Sequence, residues 1–347
     1  MDISGILENS PVKVSVPCRV DFGGTLDIST FYLPLAHLNP VGFNMAMDLR
    51  TKVTLTPYRR GRIKVSSRGF DSAEFDHGNA PFDHPMGLMF ACAQYFNAHG
   101  VHIHIDSASP PRSALGGSSS AAVAILAAFH TAFENPVDPA QVAWLAHYIE
   151  SSVAGVPCGV QDQAAAAFGG AHMWAWKIGD HGGPVFDRFP VFDSDDDRKN
   201  FIPHMRVAYC GIPHVSKDIN SRWVASFVQG KTRTVFARII EMTRAFYAAI
   251  RNKEYAEAAD LMISETRLRQ QMTPDVLDDM GQKLFDAAQA HQCGARFTGA
   301  GGGGCLWAVG GQKDMALLAE SWRTLLKDIP DAKLLDTRID PAGILIA

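Results

Sequence analysis

A run of small residues between two regular segments limits most strongly how this chain can fold. The run, Pro110 to Ser120, follows the strictly alternating segment His102–Asp106, which is typical of a strand. It precedes nine consecutive apolar residues, Ala121–Phe129, which are typical of a buried helix. Unpaired N–H groups at the start of such a helix favour a phosphate ligand. A flexible loop with a serine N-cap is the alternative that the spacing leaves open.

Composition excludes several classes of protein. The chain has 347 residues, of which 47% are hydrophobic and 20% charged, so it can bury a full core and is expected to form about two domains. Its net charge of −4 disfavours bulk binding to nucleic acid or to an anionic membrane. The nine-residue apolar run is too short to span a bilayer.

The first residues and the cysteines indicate an intracellular setting. The start is acidic and lacks a basic segment followed by a long apolar stretch, so we expect no signal peptide. The six cysteines are scattered and form no Cys-x-x-Cys pair, which disfavours a zinc cluster or a disulfide framework. We therefore predict a cytoplasmic protein with reduced thiols.

Predicted strands and helices alternate irregularly, which favours an α+β fold over a doubly wound α/β fold. Strands are predicted at Val41–Pro57 and Arg62–Ser67, and helical patterns cover about 217–251 and 254–272. Thr273 is predicted to cap a further helix, with Pro274 at its first position.

The domain boundary is predicted within residues 176–200. This stretch contains Gly, Pro and the acidic run Asp193–Asp197, and we interpret it as an exposed linker or hairpin loop. The boundary divides the chain into an N-terminal domain, 1–185, and a C-terminal domain, 200–347.

A second glycine cluster lies near the C-terminus, with five glycines among the six residues Gly299–Gly304. A tight turn needs one or two glycines, so the surplus indicates close approach to a ligand or to another backbone. The letters also match the dinucleotide-binding pattern Gly-x-Gly-x-x-Gly. We reject that interpretation because a strand-like segment, Cys305–Val309, follows where a helix is required.

Two acidic positions stand in surroundings that suggest chemistry. Asp162 lies among small and apolar residues, where it is either a helix N-cap or a catalytic carboxylate facing a substrate hydroxyl. Arg19 and Asp27 flank a double-glycine turn at the end of a predicted strand. They would form either a structural ion pair or part of a site that holds a polyol and a developing negative charge.

These pieces, in this order, resemble the GHMP kinase family, in its sugar kinase branch. The segment 114–119, Ala-Leu-Gly-Gly-Ser-Ser, looks like the family's phosphate loop, with Ala114 in place of the first glycine. Residues 299–304 look like its C-terminal glycine motif, and 157–163 with Glu150 resemble the galactokinase and heptose-phosphate kinase forms of its middle motif. The motifs span residues 17 to 305, but the first motif lacks the Glu-His pair of galactokinases.

The resemblance implies a two-domain GHMP kinase fold. Its N-terminal domain would be like domain 2 of ribosomal protein S5, and its C-terminal domain would be ferredoxin-like. It also implies transfer of the ATP γ-phosphoryl group, with Mg²⁺, to a sugar or sugar phosphate, as in heptose 7-phosphate kinases, with the anomeric hydroxyl expected as acceptor. Alternatives are a galactokinase-like hexose 1-kinase, a silent sugar and ATP sensor, or an acceptor that is an amino acid, a nucleoside or a mevalonate-type acid. The partner would be a small molecule, with no nucleic acid or membrane, and the protein a monomer or homodimer.

The resemblance also assigns roles to residues. Asp162 would orient the hydroxyl and accept its proton, and Arg19 would stabilise charge on the transferring phosphoryl group. The expected ATP-binding residues are Pro111, Ala114, Leu115, Gly116, Gly117, Ser118, Ser119 and Ser120. The metal would be held by Glu150 with Ser118 or Ser119. The expected substrate-binding residues are Gly24, Thr25, Asp27, Gly159, Gly301 and Gly302. The loop 299–304 would also let the second domain close over the site.

Overall fold

The computed structural model describes residues 1–213 and 217–347. The strands are β1 (Val12–Phe22), β2 (Val41–Pro57), β3 (Arg62–Ser67), β4 (Ala73–Asp76), β5 (Val101–Ser107), β6 (Ala171–Ile178), β7 (Pro184–Pro190), β8 (Met205–Tyr209), β9 (Gly294–Phe297), β10 (Cys305–Val309), β11 (Lys333–Leu335) and β12 (Leu345–Ile346). The α-helices are α1 (Ser4–Asn9), α2 (Ser29–Tyr32), α3 (Gly87–Tyr95), α4 (Gly117–Ala132), α5 (Pro139–Val153), α6 (Gln161–Phe168), α7 (Asp195–Phe201), α8 (Lys217–Val228), α9 (Arg233–Arg251), α10 (Tyr255–Met272), α11 (Asp279–Ala290) and α12 (Gln312–Leu326). Short 3₁₀ turns occur at Ala36–Leu38, Ile202–His204 and Pro274–Val276.

The first sheet has eight strands, and the long strand β2 lies at its centre, where it pairs with β1, β5 and β6. Its main order is β12-β1-β2-β5-β3-β4, and β6 pairs with the first part of β2 and carries β7 at its other side. Pairing is antiparallel except between β3 and β5. The sheet brings the end of β1 close to the helices that follow β5 and α5, where the predicted site residues lie.

The helix α4 forms the centre of the first half of the chain. All residues from Ser119 to Phe129 are buried, as the unbroken apolar run predicts. Small alanine side chains let this helix pack closely on β1 and β2 on one side and on α5 and α6 on the other. Its N-terminus is thereby fixed at the end of β1.

The second sheet has four antiparallel strands in the order β11-β8-β10-β9. Numbered along the chain within this sheet, the order is 4-1-3-2, which is that of a ferredoxin-like domain. This confirms the predicted α+β class and the predicted topology of the C-terminal domain. The domain boundary between residues 185 and 200 stays a prediction. The last strand of the chain, Leu345–Ile346, does not belong to the second sheet, because it pairs with β1 in the first sheet.

The two halves share their hydrophobic cores. Phe22 of β1 stacks on Phe246 of α9 with ring centroids 4.1 Å apart. Phe31 of α2 likewise contacts Phe227 and Phe236 from the second half. Buried apolar residues from both sheets therefore form common clusters at the interface between the halves.

Several predicted elements differ from the structure. The acidic run is not a loop, because Ser194 caps α7 and Asp195–Asp197 occupy its first turn, where the helix dipole favours negative charge. Of the two alternatives left open for residues 176–200, the hairpin is formed rather than the linker, since β6 and β7 pair with each other. The helix predicted over 217–251 is broken between α8 and α9, where Gly230 has φ of +79°.

The helix predicted after Thr273 is also wrong in detail. Pro274–Val276 is a 3₁₀ turn, and α11 begins at Asp279, with the Asp278 side chain accepting a hydrogen bond from Gly281 N. Two capping residues, Thr273 and Asp278, are available here, and the helix begins after Asp278, whose side chain makes the capping hydrogen bond. The sequence also predicts a strand at residues 333–339, and the structure confines it to β11, which ends at Leu335.

Candidate active site

One cavity of about 370 Å³ collects most of the predicted site residues. The predicted residues that line it are Arg19, Thr25, Asp27, Pro111, Ala114, Gly116, Gly117, Ser118, Ser119, Glu150, Gly159 and Asp162. They come from the end of β1, the loop before α4, the end of α5 and the start of α6. Five predicted residues do not line it: Gly24, Leu115, Ser120, Gly301 and Gly302.

The loop before α4 presents backbone donors to this cavity. Gly116 is the N-cap residue, with φ of +77°, and no side chain caps the helix. The serine-capped loop considered from the sequence is therefore not formed. The first N–H groups of α4 stay open to a ligand, which is the arrangement that binds phosphate in proteins. Ala114 also has a left-handed φ of +59°, at the position where the family motif has glycine.

Ser119, not Ser118, contacts the predicted metal-binding carboxylate. Ser119 Oγ donates a hydrogen bond to Glu150 Oε2 over 2.7 Å, and Gln163 Nε2 donates to the same oxygen over 2.6 Å. Ser118 is exposed at the cavity surface. Burial raises the pKa of the Glu150 carboxyl to about 7, and the nearby Asp162 carboxylate adds to the rise.

Asp162 and Arg19 form a close pair beside the loop. Arg19 Nε donates to Asp162 Oδ1 over 2.7 Å, and Arg19 Nη1 donates to the Ala114 carbonyl over 2.6 Å. Burial raises the pKa of Asp162, and the positive charge of Arg19 opposes this rise. A Cβ on Gly116 would lie 3.0 Å from Asp162 Oδ2, so glycine there lets the carboxylate approach the loop. The site thus places a carboxylate and a guanidinium next to a phosphate-type loop.

Asp27 is held at the same end of the cavity by the start of α6. The Gln161 N–H donates to Asp27 Oδ2 over 3.0 Å. A Cβ on Gly159 would lie only 1.7 Å from that oxygen, so Gly159 is required for this approach. Burial raises the pKa of Asp27 to about 6. Gly159 therefore serves the site by making space for Asp27.

The C-terminal glycine loop meets the phosphate loop but not through the predicted residues. Gly301 and Gly302 face the 3₁₀ turn at Val276, whose carbonyl accepts from Gly302 N over 2.8 Å. Gly299 and Ala300 line the cavity instead. The expectation that Gly301 and Gly302 line the sugar site is not met, because the loop turns away from the cavity after Ala300.

The far end of the cavity was not predicted from the sequence. Its walls come from β2, the segment after β3, α3 and β5, so no contiguous motif marks them. The residues are Thr51, Ser67, Arg68, Phe70, Met86, Met89, Ile105, Ser107 and Ser109. Apolar walls with a few hydroxyl groups suit a flat heterocycle and its ribose.

Another unpredicted feature is a buried set of ion pairs behind the Arg19–Asp162 pair. Asp21, one residue beyond Val20 on β1, is fully buried and lies with its carboxylate 3.6 Å from Arg19 Nη1. Its other partners come from the second half of the chain, as described below. Alternation along β1 gives no sign of such a contact, because the partners are far apart in sequence.

The described residues contain neither a membrane-spanning helix nor a preformed metal cluster. No helix among the described residues is long and apolar enough to cross a membrane. Within residues 1–213 and 217–347, no group of three or more His, Cys, Asp or Glu side chains could by itself hold a metal ion.

Comparisons with known proteins agree with this architecture. Residues 86–170 match the family described as GHMP kinases N terminal domain. Mevalonate kinase of Thermococcus sibiricus is 25% identical over 77% of this chain and 82% of its own length. The bifunctional fucokinase/GDP-fucose pyrophosphorylase of Arabidopsis thaliana is 24% identical over 84% of this chain and 29% of its own length.

Solved structures show the same fold over nearly the whole chain. A D-glycero-D-manno-heptose 1-phosphate kinase from Bacteroides thetaiotaomicron superposes with a TM-score of 0.73 at 16% identity, covering 97% of this chain and 98% of its own. Lactococcus lactis galactokinase, complexed with galactose, superposes with a TM-score of 0.74 at 16% identity, covering 99% of each chain.

Proposed function

We propose that this chain, which has the GHMP kinase fold and carries that family's N-terminal domain, transfers the γ-phosphoryl group of ATP to a hydroxyl of a sugar. One observation carries the proposal: the Arg19–Asp162 pair lies beside an uncapped helix N-terminus whose loop residues line the same cavity. Phosphoryl transfer depends mainly on positioning and electrostatics, and these groups can supply both.

The phosphates of ATP would bind the backbone N–H groups of the loop 114–119 and of the first turn of α4. The adenine and ribose would occupy the far end of the cavity, between Phe70, Met86 and Met89, with Ser107 and Ser109 as hydroxyl partners. The acceptor would enter at the opposite end, beside Asp27 and Gly159. In this arrangement the γ-phosphate would lie between the loop and Asp162.

Asp162 would orient the acceptor hydroxyl and take its proton, since a positioned carboxylate can act as a general base. Arg19 would balance the negative charge that gathers on the transferring phosphoryl group. Its side chain is 4% exposed, so water screens its charge little. Asp27, whose raised pKa reflects burial, would accept hydrogen bonds from further hydroxyl groups of the acceptor.

Glu150 and Ser119 fit a magnesium site. The Glu150 side chain is half-buried, and the Asp162 carboxylate is near enough to raise its pKa. Among the described residues, no Lys or Arg forms an ion pair with it. Hard oxygen donors of this kind, completed by phosphate oxygens, suit Mg²⁺. When bound, the ion would neutralise part of the phosphate charge.

The charges at the acceptor end favour a neutral polyol. Asp27, Asp162 and Glu150 converge there, and Arg19 is already paired with Asp162 and Asp21. Two further arginines, Arg68 and Arg112, line the cavity. They are chain neighbours of Gly69 and Pro111, which lie against each other on the side proposed for the nucleotide. A mevalonate-type carboxylate or a sugar phosphate would bring negative charge to this acidic end of the cavity, where the guanidinium of Arg19 is already paired with two carboxylates. Relatives that are mevalonate kinases make that acid the second candidate.

An acceptor panel tests the proposal. Purified protein with Mg-ATP is given hexoses, 6-deoxyhexoses, heptoses, heptose phosphates and mevalonate, and ADP release is measured. We expect stimulation by neutral sugars, and ³¹P NMR of the product identifies the hydroxyl that was phosphorylated. Turnover with mevalonate alone contradicts the sugar assignment. ATP binding without acceptor-stimulated ADP release with any compound supports a sensor instead.

A further inference from the structure

Four fully buried charged side chains connect the two halves of the molecule directly behind the site. Arg269 Nε on α10 donates to Glu265 Oε1 over 2.8 Å, and Arg296 Nε on β9 donates to Glu265 Oε2 over 2.8 Å. Arg296 Nη1 donates to Asp21 Oδ2 on β1 over 2.9 Å. We call Asp21, Glu265, Arg269 and Arg296 the buried charge network; each is 0% exposed.

Asp21 is the member of the network that reaches the site. Its Oδ1 accepts a hydrogen bond from Gly299 N over 2.7 Å and lies 3.6 Å from Arg19 Nη1. The guanidinium of Arg19 therefore lies between two carboxylates, Asp21 behind it and Asp162 in front of it. Arg296 and Gly299, both from the second half, fix where the Asp21 carboxylate stands.

Arg269 extends the same connection to the loop that follows β1. It donates to the Gly24 carbonyl over 2.7 Å and to Thr25 Oγ1 over 3.1 Å. Thr25 has a left-handed φ of +74°, a strained conformation for a β-branched residue, and these bonds hold it. The network thus fixes both the strand end that carries Arg19 and the turn that leads to Asp27.

Stability alone is a poor explanation for such a network. Ion pairs in a protein interior lose so much hydration energy that apolar replacements of similar volume are often as stable or more stable. The charges are balanced, with two acids and two arginines, and the Arg19–Asp162 pair adds one of each sign. What the network supplies is a fixed direction for the charges next to the reacting groups.

We propose that Asp21 is a positioning residue for phosphoryl transfer: its carboxylate, anchored from the second half by Arg296 and the Gly299 N–H, holds the Arg19 guanidinium against Asp162. This inference rests on the proposed kinase function for its kinetic consequence. Its structural consequence, the orientation of Arg19, does not depend on that function.

Two substitutions of the same kind separate positioning from stability. Asp21→Asn and Glu265→Gln each remove one buried negative charge at almost constant shape, and both leave an arginine short of a partner. Both variants should lose stability, but Glu265 lies one arginine further from Arg19. We expect Asp21→Asn to lower kcat by about 10- to 100-fold, with both KM values within about threefold, because a displaced guanidinium misaligns the transfer. Glu265→Gln, assayed well below its melting temperature, should lower kcat by a smaller factor than Asp21→Asn, because Arg296 still reaches Asp21 in that variant.

The pH profile of kcat gives a readout that lost stability would not move. The negative charge of Asp21 raises the pKa of Asp162. Arg19 lowers the same pKa by more than Asp21 raises it, so an Asp21→Asn variant in which Arg19 has moved away from Asp162 should shift the acidic limb of the profile to higher pH. Glu265→Gln should leave that limb in place. Equal loss of kcat in both variants, or full kcat in Asp21→Asn, overturns the proposal.

A charge-balanced double variant tests the proposal if the single variant Asp21→Asn does not fold. Asp21→Asn combined with Arg296→Met removes one charge of each sign and leaves Glu265 paired with Arg269. A crystal structure of this variant should show Arg19 Nε moved away from Asp162 Oδ1. An unmoved Arg19 overturns the proposal even if wild-type protein phosphorylates no sugar, whereas a moved Arg19 supports it independently of turnover.

Discussion

At the scale of single residues, the site is defined by acids that burial makes hard to ionise. Asp27, Glu150 and Asp162 all have raised pKa values, and burial is the largest cause in each case. Arg19 offsets this effect only at Asp162. Carboxylates in this condition gain most from a cation or from hydroxyl donors, which are the partners that Mg-ATP and a sugar would bring.

Replacement of Asp162 by Asn tests the proposed base directly. Because Arg19 keeps Asp21 as an anionic neighbour, the variant should fold normally. We expect kcat to fall by about 10²- to 10⁴-fold, with KM for ATP and sugar little changed, since general-base catalysis contributes on that order. Steady-state kinetics measure both constants. The exposed Asp106→Asn is the control, and wild-type turnover in Asp162→Asn contradicts the assignment.

The pH dependence of stability tests the environment of Glu150. Its pKa rises from about 4.5 to about 7 on folding, so the folded protein retains a proton that the unfolded chain releases. Stability should therefore fall as pH rises from about 4.5 to about 7 and stay level above that range. Asp27 acts in the same direction between about 3.8 and about 6.

Glu150→Gln should remove the decline in stability between about pH 6 and 7 and weaken the stabilisation by Mg-ATP at pH 8. Differential scanning calorimetry across this pH range, with and without Mg-ATP, measures both effects. The exposed Glu8→Gln serves as the matched control and should behave like the wild type. An unchanged pH profile in Glu150→Gln would contradict the inferred burial of this acid.

At the scale of elements, the loops from the two halves support each other. Gly304 has φ of +86°, and a Cβ there would lie 2.7 Å from the Ser113 carbonyl oxygen and 2.8 Å from Ala114 Cβ. Gly299 similarly lies against the Ala114 carbonyl and Arg19 Nη2, each 3.4 Å from where its Cβ would stand. The glycine-rich loop therefore acts as the packing surface behind the phosphate loop, and its glycines let the two backbones approach.

Gly304→Ala measures this contact. Gly182→Ala is a matched control, because Gly182 has a similar φ of +81° but open space around it. Both variants bear the left-handed strain of about 1–2 kcal/mol, and Gly304→Ala should lose about 1–3 kcal/mol more from overpacking. It should also raise KM for ATP, since Ser113 and Ala114 must move. Urea denaturation measures the free energy of unfolding, and steady-state kinetics measure KM for ATP. Equal values of both quantities in the two variants would contradict a role for this contact.

At the scale of the whole molecule, the two halves are joined by apolar clusters as well as by the buried charge network. Phe22 and Phe43 of the first sheet contact Phe246 of α9, which also packs on Trp307. Separation of the halves would expose these rings and the network charges together. This shared core opposes the rigid-body closure of the second half that the glycine loop suggested from the sequence.

We expect the chain to unfold in one cooperative transition. Trp174 reports on the first sheet, and Trp223, Trp307 and Trp322 report on the second half, so fluorescence and far-UV circular dichroism together follow both parts. The two signals should coincide in urea. A fragment of residues 1–190 should fail to fold, because its half of the shared core would be exposed. Two separate transitions would contradict this expectation.

The sequence by itself determined the local frame of the site. The bounds of β2, β3 and β10 follow from alternation and turn residues, and the apolar run after the small-residue loop defines α4. These signals depend on near neighbours, because strand and helix periods and the steric freedom of glycine act within a few residues. Each of the four motifs is likewise a local pattern, and it was their resemblance to those of the GHMP kinase family, in the same order, that implied the GHMP kinase fold.

Only the tertiary structure decided which groups meet. Ser119 rather than Ser118 contacts Glu150 because the helix start fixes the direction of each side chain. Gly301 and Gly302 turn towards Val276, and Asp21 joins Arg296 across 275 residues of chain. Such contacts depend on how whole sheets pack. A buried charge is stable only where an oppositely charged partner lies next to it. Local pattern carries no record of that partner, so the buried charge network behind Arg19 could be found only in the folded molecule.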